Sequence, residues 1–302
     1  MSSLPWLTSA LTQLHQQQRD ERLAHALLLP LPVADGGLVL AEQIVASCLC
    51  DNHTSPACGQ CRACKLLAAG NHPDVYWLKA DGHQIKVEQV RELCQSLAAT
   101  AQQGGYRIAV IQQSERMNQA AANALLKTLE EPGRNTLLLL QTDIAGGLLP
   151  TITSRCQRVN VQPPTIDMVA NWLQHPQLSS AELAWSLPVV GGAVALQQAL
   201  ASDRLMQLRQ LKAWVEQSFN EGHVAQQLAD LKEDNVFDVL KLVYHVLLEK
   251  LKQPGLEPFA SAKVAELANR VMQDNRQLMH MPSVNYLALL QSYVIEYKRL
   301  KF

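Results

Sequence analysis

The stretch LLLPLPVADGGLVLAEQI, Leu27 to Ile44, decides how the rest of the chain is read. An apolar run of strand length leads into a short loop, a pair of glycines and the start of an amphipathic helix, which is the outline of a phosphate-binding loop. A working loop of that type closes with a lysine that reaches the β- and γ-phosphates and a hydroxyl that holds Mg²⁺. Here Leu38 and Val39 follow the glycines. Val33, Asp35, Gly36 and Gly37 therefore read as a degenerate phosphate loop, a frame without its charges.

Outward from that loop, strand-length apolar runs alternate with helical patterns from Ala26 to about Val161. The pattern predicts strands over 26–29, 75–78, 108–111, 137–141 and 159–161. It predicts helices over 38–49, 87–101 and 119–131, with a short one near 147–154. Such alternation implies a parallel sheet covered by helices on both faces. The uniformly apolar strand at 108–111 is expected at the centre. Gln162-Pro163-Pro164 stops the pattern and sets a boundary after a first domain of 1–162. Residues 163–202 read as a small helical lid of two or three short helices interrupted by Pro176 and Pro188. Residues 203–302 read as an all-α C-terminal domain, with QPGLEP at 253–258 separating two longer helical blocks.

With 302 residues, 48% hydrophobic and 18% charged, the composition is that of a globular protein with a sizeable core. A formal net charge of −1 argues against wrapping nucleic acid by bulk electrostatics, so any DNA contact is expected to be partial or shared. The opening MSSLPWLTSALTQLHQQQRDERL lacks the charged-then-apolar order of a secretory signal. No apolar run approaches the roughly 20 residues that span a bilayer. Seven cysteines, an odd number, fit a secreted disulfide framework poorly; the expectation is a cytoplasmic, metal-holding protein with no membrane partner.

Four of those cysteines lie in CDNHTSPACGQCRAC, with the spacing C-x7-C-x2-C-x2-C. Thiolates three residues apart can face one ion, and Cys50, Cys58, Cys61 and Cys64 would complete the closed tetrahedral shell of a structural Zn²⁺, one per chain. An iron–sulfur cluster would want a further cysteine just past Cys64, where Lys65-Leu66-Leu67-Ala68 stands instead. Cys48 and His53 are substitute ligands, although Cys48 falls on the preceding apolar helix and is expected to pack. Unliganded reduced thiols are the alternative, but free cysteines usually hide in cores and this segment is polar.

A second absence matches the first. After the strand RIAVI come Gln112-Gln113-Ser114, where an ATPase of this topology carries an Asp for Mg²⁺, commonly beside a Glu that activates water. Gln has no charge to balance a metal and is far too weak a base. A sheet that never bound nucleotide would show the same two gaps. Further on, NQAAANALLKTLEEPGR, 118–134, is a helix with an Asn cap and a Pro-Gly stop. Lys127 and Arg134 on it can be solvated surface. In LLPTITSRC, Arg155 stands beside Ser154 and Cys156, either as a surface ion-pair partner or as a finger that neutralises a phosphate across an interface.

Pro5-Trp6, His25-Ala26-Leu27-Leu28, the cysteine quartet, His72-Pro73-Asp74, AANALLKTLEEP at 121–132 and Ser154-Arg155-Cys156 occur in that order. Together they resemble the delta-prime family of bacterial DNA polymerase III clamp-loader subunits, strongly over 1–161 and more weakly to the C-terminus. The resemblance implies an α/β AAA+ module with an inserted zinc module, then a helical lid and an all-α collar that mediates oligomerisation. It implies a subunit that has lost its own ATPase activity inside a DNA-directed DNA polymerase holoenzyme, a nucleotidyltransferase. The implied partners are gamma/tau and delta and, indirectly, the sliding clamp and primer-template DNA, at a nucleoid-associated replisome in the cytoplasm. Arg155, with Ser154 and Cys156, matches the motif whose arginine enters the ATP site of the adjacent gamma/tau subunit. Active relatives also carry an arginine that touches ATP near the start of a helix in the second domain. The matching stretch VVGGAVALQQAL, 189–200, contains no basic residue. No functional ATP site is therefore expected.

Two other function classes compete with that reading. A stand-alone ATP-hydrolysing AAA+ subunit would need the charges that are missing. A zinc-dependent DNA-binding adaptor would need more basic and aromatic residues around the cysteines than Arg62 and Lys65. A serine or cysteine nucleophile lacks a convincing histidine partner in its sequence context.

Overall fold

The computed structural model describes residues 4–144, 146–176, 178–229, 235–252, 255, 257–278 and 285–300. Five strands, β1 (Ala26–Leu29), β2 (Val75–Leu78), β3 (Arg107–Ile111), β4 (Thr136–Gln141) and β5 (Gln157–Arg158), form one sheet in the order β2-β3-β4-β1-β5. Every pairing is parallel, in registers such as Ala26 with Leu138 and Ile108 with Leu137. β3 is interior as its unbroken burial implies, but β4 holds the centre. Both strands are buried along their whole length, so hydrophobicity marks an interior strand without saying which one is the middle. The last strand lies at 157–158, two residues before the predicted run. Val159 still donates its N–H to the Leu28 carbonyl of β1 at 2.9 Å, whereas the Val161 N–H turns back to the Val159 carbonyl, and both side chains are buried beyond the strand's end.

Seven helices belong to the same unit: α1 (Thr8–Arg19), α2 (Gly37–Leu49), α3 (Arg62–Ala68), α4 (Val87–Ala98), α5 (Gln119–Glu130), α6 (Pro150–Thr153) and α7 (Ile166–Leu173). Strand side chains alternate between faces. Ala26, Leu28, Ala109, Ile111, Leu138 and Leu140 meet Val90, Leu93 and Leu97 of α4 and Ala121, Leu125 and Leu129 of α5 in one cluster. α2 packs against β4, and α1 packs on α2. α5 packs along α4 with its alanines Ala121 and Ala122 buried, and Asn118 caps it by accepting from the Ala121 N–H at 2.8 Å.

The chain divides into two compact units, Met1–Gln174 and His175–Phe302. α7 belongs to the first, where Trp172 meets Trp6 edge-on with ring centroids 5.2 Å apart. The second contains α8 (Ser180–Val190), α9 (Ala193–Leu200), α10 (Arg204–Glu221), α11 (Val236–Leu251), α12 (Pro258–Leu278) and α13 (Tyr286–Arg299). Pro188 does not interrupt a helix as expected; it sits inside the last turn of α8, which ends at Gly191 with φ 98°. The missing N–H removes one helical bond near the terminus, and burial of Leu183, Trp185 and Val189 holds the turn. The stretch 253–258 lies partly outside the described residues. Among the described residues no single helix is long and apolar enough to cross a membrane.

Candidate functional site

The loops after β1, β3 and β4 leave the same carboxyl edge of the sheet, where open α/β folds place their ligands. The loop after β1 makes one 3₁₀ turn over Val33–Asp35, and Gly36 follows with φ 96°. Gly37 then starts α2 and donates its N–H to the Pro32 carbonyl at 2.9 Å. A Cβ on Gly37 would stand 2.0 Å from the Leu31 carbonyl oxygen, so only glycine permits this closeness of strand and helix.

Amides of such a loop cradle phosphates when charge and space allow. Here the Val33 N–H is taken by the carboxylate of Asp143, at 2.8 Å. That carboxylate also accepts from Gln141 Nε2 at 2.7 Å and from Gln113 Nε2 at 2.8 Å. Gln141 Nε2 also reaches the Leu31 carbonyl at 2.9 Å, and its Oε1 accepts from the Gln113 N–H at 2.8 Å. The Asp143 N–H faces the Glu115 carboxylate at 3.4 Å. Gln113, standing where an ATPase of this topology carries its acids, is thus an amide bridge inside a network that ties the three loops together. On the other flank, Trp6 Nε1 donates to the Asp35 carbonyl at 2.8 Å. Asp143, Gln141 and Glu115 had no motif to announce them; the one signal was their position at the ends of parallel strands.

The cysteine segment brings together the four predicted side chains. The Sγ atoms of Cys50, Cys58, Cys61 and Cys64 all lie within 4.8 Å of one another. A tetrahedron with metal–sulfur bonds near 2.3 Å has edges of about 3.8 Å, so a small contraction around an ion suffices. Backbone N–H groups already point at the sulfurs: Cys58 to Cys50 at 3.4 Å, Gln60 and Cys61 to Cys58 at 3.5 and 3.4 Å, and Cys64 to Cys61 at 3.4 Å. Such donors favour the thiolate form a metal requires. Burial works to raise the Cys50 thiol, but the Cys58, Thr54 and Asn52 backbone groups and the Thr54 hydroxyl outweigh it and bring it down to about 5. Burial and then the neighbouring thiol of Cys61 push Cys64 up to about 12. Four thiols this close cannot all ionise without a cation among them, and with one they can. The four cysteines therefore fit a metal ion. Cys48 and His53 stand outside the cluster; Cys48 is buried, lining a small cavity with Leu14, Leu23 and Ile44, and burial raises it to about 12.

Arg155 follows the short helix α6 and is exposed. Its Nη2 pairs with Glu130 Oε1 at 2.6 Å and its Nη1 donates to the Thr151 carbonyl at 2.9 Å, with Ser154 Oγ at 3.5 Å. Its partners among the described residues thus belong to α5, α6 and the residue next to it, and none to the degenerate loop. Ser154 donates to the Thr151 carbonyl at 3.3 Å. Cys156 packs against the core, where burial raises its thiol to about 11 and removes it as a nucleophile. His72-Pro73-Asp74 is structural: Asp74 is buried and accepts from the Gln102 and Gln103 N–H groups at 2.7 and 2.9 Å, fixing the loop after α4.

The sequence profile described as "DNA polymerase III, delta subunit" matches residues 6–165. A DNA polymerase III subunit delta' from Pseudomonas aeruginosa is 30% identical over an alignment covering 98% of this chain and 97% of its own. The subunit of that name from Escherichia coli is 31% identical, with coverage of 90% and 85%. The Haemophilus influenzae subunit is 41% identical over 56% of this chain and 52% of its own. Among solved structures, a DNA polymerase III gamma subunit-related protein from Thermotoga maritima shares the fold, with a TM-score of 0.53 and 18% identity over 96% of this chain and 100% of its own. With its five-stranded parallel sheet, helices on both faces, helical C-terminal region and four-cysteine module, the chain belongs to the delta-prime family of DNA polymerase III clamp-loader subunits and has the AAA+ fold.

Proposed function

We propose that the chain is the non-hydrolysing delta-prime member of a clamp loader, which helps place the sliding clamp on primed DNA and lends Arg155 to the ATP site of a neighbouring gamma/tau subunit. The observation that carries this reading is a contrast within one chain. An exposed guanidinium stands at a motif for action in trans, while the chain's own loop has Leu38 and Val39 for Lys and hydroxyl and gives a loop amide to Asp143. An arginine finger places fixed positive charge against the charge that builds on the transferring phosphoryl group. The frame of the loop persists because strand, helix and neighbouring loops pack through it, while the chemistry belongs to the partner.

In this reading residues 1–162 form the AAA+ α/β domain, 163–202 the lid and 203–302 the collar that joins gamma/tau and delta. The cysteine cluster holds one structural Zn²⁺, whose closed shell leaves no position for water, so it contributes folding and no reaction chemistry. The site of action is the cytoplasmic replisome at the nucleoid, and contact with primer-template DNA is shared with the other subunits, as the net charge of −1 suggests. The test is reconstitution. Mixed with gamma/tau and delta, the chain should co-elute in one complex and be required for clamp loading, while the isolated chain neither binds nor hydrolyses ATP. Turnover that follows the isolated protein through repurification contradicts the first half; failure to enter the complex contradicts the second.

A further inference from the structure

We propose that Glu130 is the positioning residue for Arg155, holding the guanidinium ready on the subunit surface before the neighbouring ATP site closes on it. The inference rests on the reading of Arg155 as a finger in trans. A guanidinium offers five N–H donors in a rigid planar fork, at the end of a side chain with several free torsions. Left alone, that side chain must be ordered at the moment it meets a phosphate. Here the fork is already gripped on two sides: Glu130 Oε1 takes Nη2 at 2.6 Å, and the Thr151 carbonyl takes Nη1 at 2.9 Å. Glu130 is the last residue of α5 and Thr151 lies within α6, so two separate helices define where the fork sits.

The grip does not consume the fork. Among the described residues, Nε and the second hydrogen of Nη2 have no partner, and the second Nη1 contact is a long one of 3.5 Å to Ser154 Oγ, so phosphate oxygens can be bound while Glu130 stays in place. A second observation concerns Glu130 itself. A carboxylate in the last turn of a helix faces the negative end of the helix dipole, where Lys or Arg would be favoured. Glu130 and the following Glu131 both occupy that disfavoured end of α5. The helix end itself disfavours the charge of Glu130, which is instead paired with Arg155.

The experiment uses the reconstituted complex containing this chain, and reads steady-state ATP turnover in the presence of clamp and primed DNA. Four variants are compared with the unaltered chain: Glu130→Ala, Glu130→Gln, Arg155→Ala and the Glu130→Ala/Arg155→Ala pair. An exposed ion pair of this kind corresponds to a change of about two- to fivefold. Glu130→Ala should lower kcat by about that factor with KM for ATP unchanged, because ordering of the finger matters in the transition state. Glu130→Gln, which keeps an acceptor oxygen and the side-chain shape, should recover part of the loss and melt no lower than the unaltered chain. On the Arg155→Ala background, Glu130→Ala should have no further effect. Should Arg155→Ala itself leave turnover unchanged, the finger reading fails and this inference with it. When Arg155→Ala lowers turnover but both Glu130 variants equal or exceed the unaltered complex, the positioning role alone is overturned. An equal loss from Glu130→Ala with and without Arg155 overturns it as well, since Glu130 would then act through something else.

Discussion

Replacing Gly37 by Ala separates a glycine retained for packing from one retained for phosphate. The added Cβ would stand 2.0 Å from the Leu31 carbonyl oxygen, 3.0 Å from its carbon and 3.1 Å from Gln141 Nε2. Ordinary contact begins near 3.4 Å, so the β1 end and the α2 start must part by about 1.4 Å. The Leu31 carbonyl is also the 2.9 Å acceptor of Gln141 Nε2, which links to Asp143 and through it to Val33 and Gln113. Overpacking of this kind costs about 1–3 kcal/mol, and stranding a buried amide costs about 1–3 kcal/mol more. A loss of ~2–6 kcal/mol should lower the melting temperature of the first unit by about 4–24 °C. Gly36, with φ 96°, is held for a different reason: Ala there costs its left-handed conformation, about 1–2 kcal/mol. Thermal melts followed by circular dichroism read both variants. A Gly37→Ala protein that melts within a degree of the unaltered chain would refute the packing argument.

Other consequences follow from the same geometry. Cys61→Ser should lower the zinc content, measured by metal analysis of the purified chain, and speed proteolysis within 50–72; full retention of the metal would show that the four sulfurs do not act together. Asp143→Ala should loosen the loops after β1, β3 and β4, seen as faster exchange of the Val33 backbone amide and of the Gln113 side-chain amide, because these two donors lose the carboxylate they share. His245, held low by burial against the opposing pull of Glu249, is favoured neutral in the folded second unit. The unfolded chain takes up its proton first as pH falls, so stability is full above about 6.5 and declines as pH drops through the folded value. Denaturation curves at pH 7.5 and 5.5 should show that loss in the unaltered chain and a smaller one in His245→Gln.

The parts of the molecule that the sequence announced are those built from residues close along the chain. The four thiols lie within fifteen residues, and their spacing alone implied that they meet, as they do. Strands β1, β3 and β4 were legible because interior parallel strands are continuously apolar, and β2, at one edge and only partly buried, because its VYWL run is four residues long; β5 was misplaced because a two-residue edge strand leaves no period to read. The inner arrangement of the degenerate site was not legible. Val33 and Asp143 are 110 residues apart, as are Leu31 and Gln141, and no local rule pairs an amide with a carboxylate over that distance. The absences at Leu38, Val39, Gln112 and Gln113 were visible in the sequence, but what fills the space was not. Pro188 shows a milder limit, since a proline signals a helix end and tertiary packing decided that this helix continues for one more turn.

The central claim is that this chain completes a neighbour's ATP site with Arg155, and the most direct test is the steady-state clamp-loading rate of the reconstituted complex with the unaltered chain and with Arg155→Ala. Fingers of this kind contribute ~10³–10⁵ in rate at the site they serve. Only the site facing this chain loses its finger, so the complex should assemble normally and load clamps much more slowly. Arg155→Lys should rescue poorly, because Lys keeps the charge without the planar two-pronged fork. Equal loading rates for Arg155→Ala and the unaltered chain, at matched complex concentration, would contradict the account and leave Arg155 as the surface partner of Glu130.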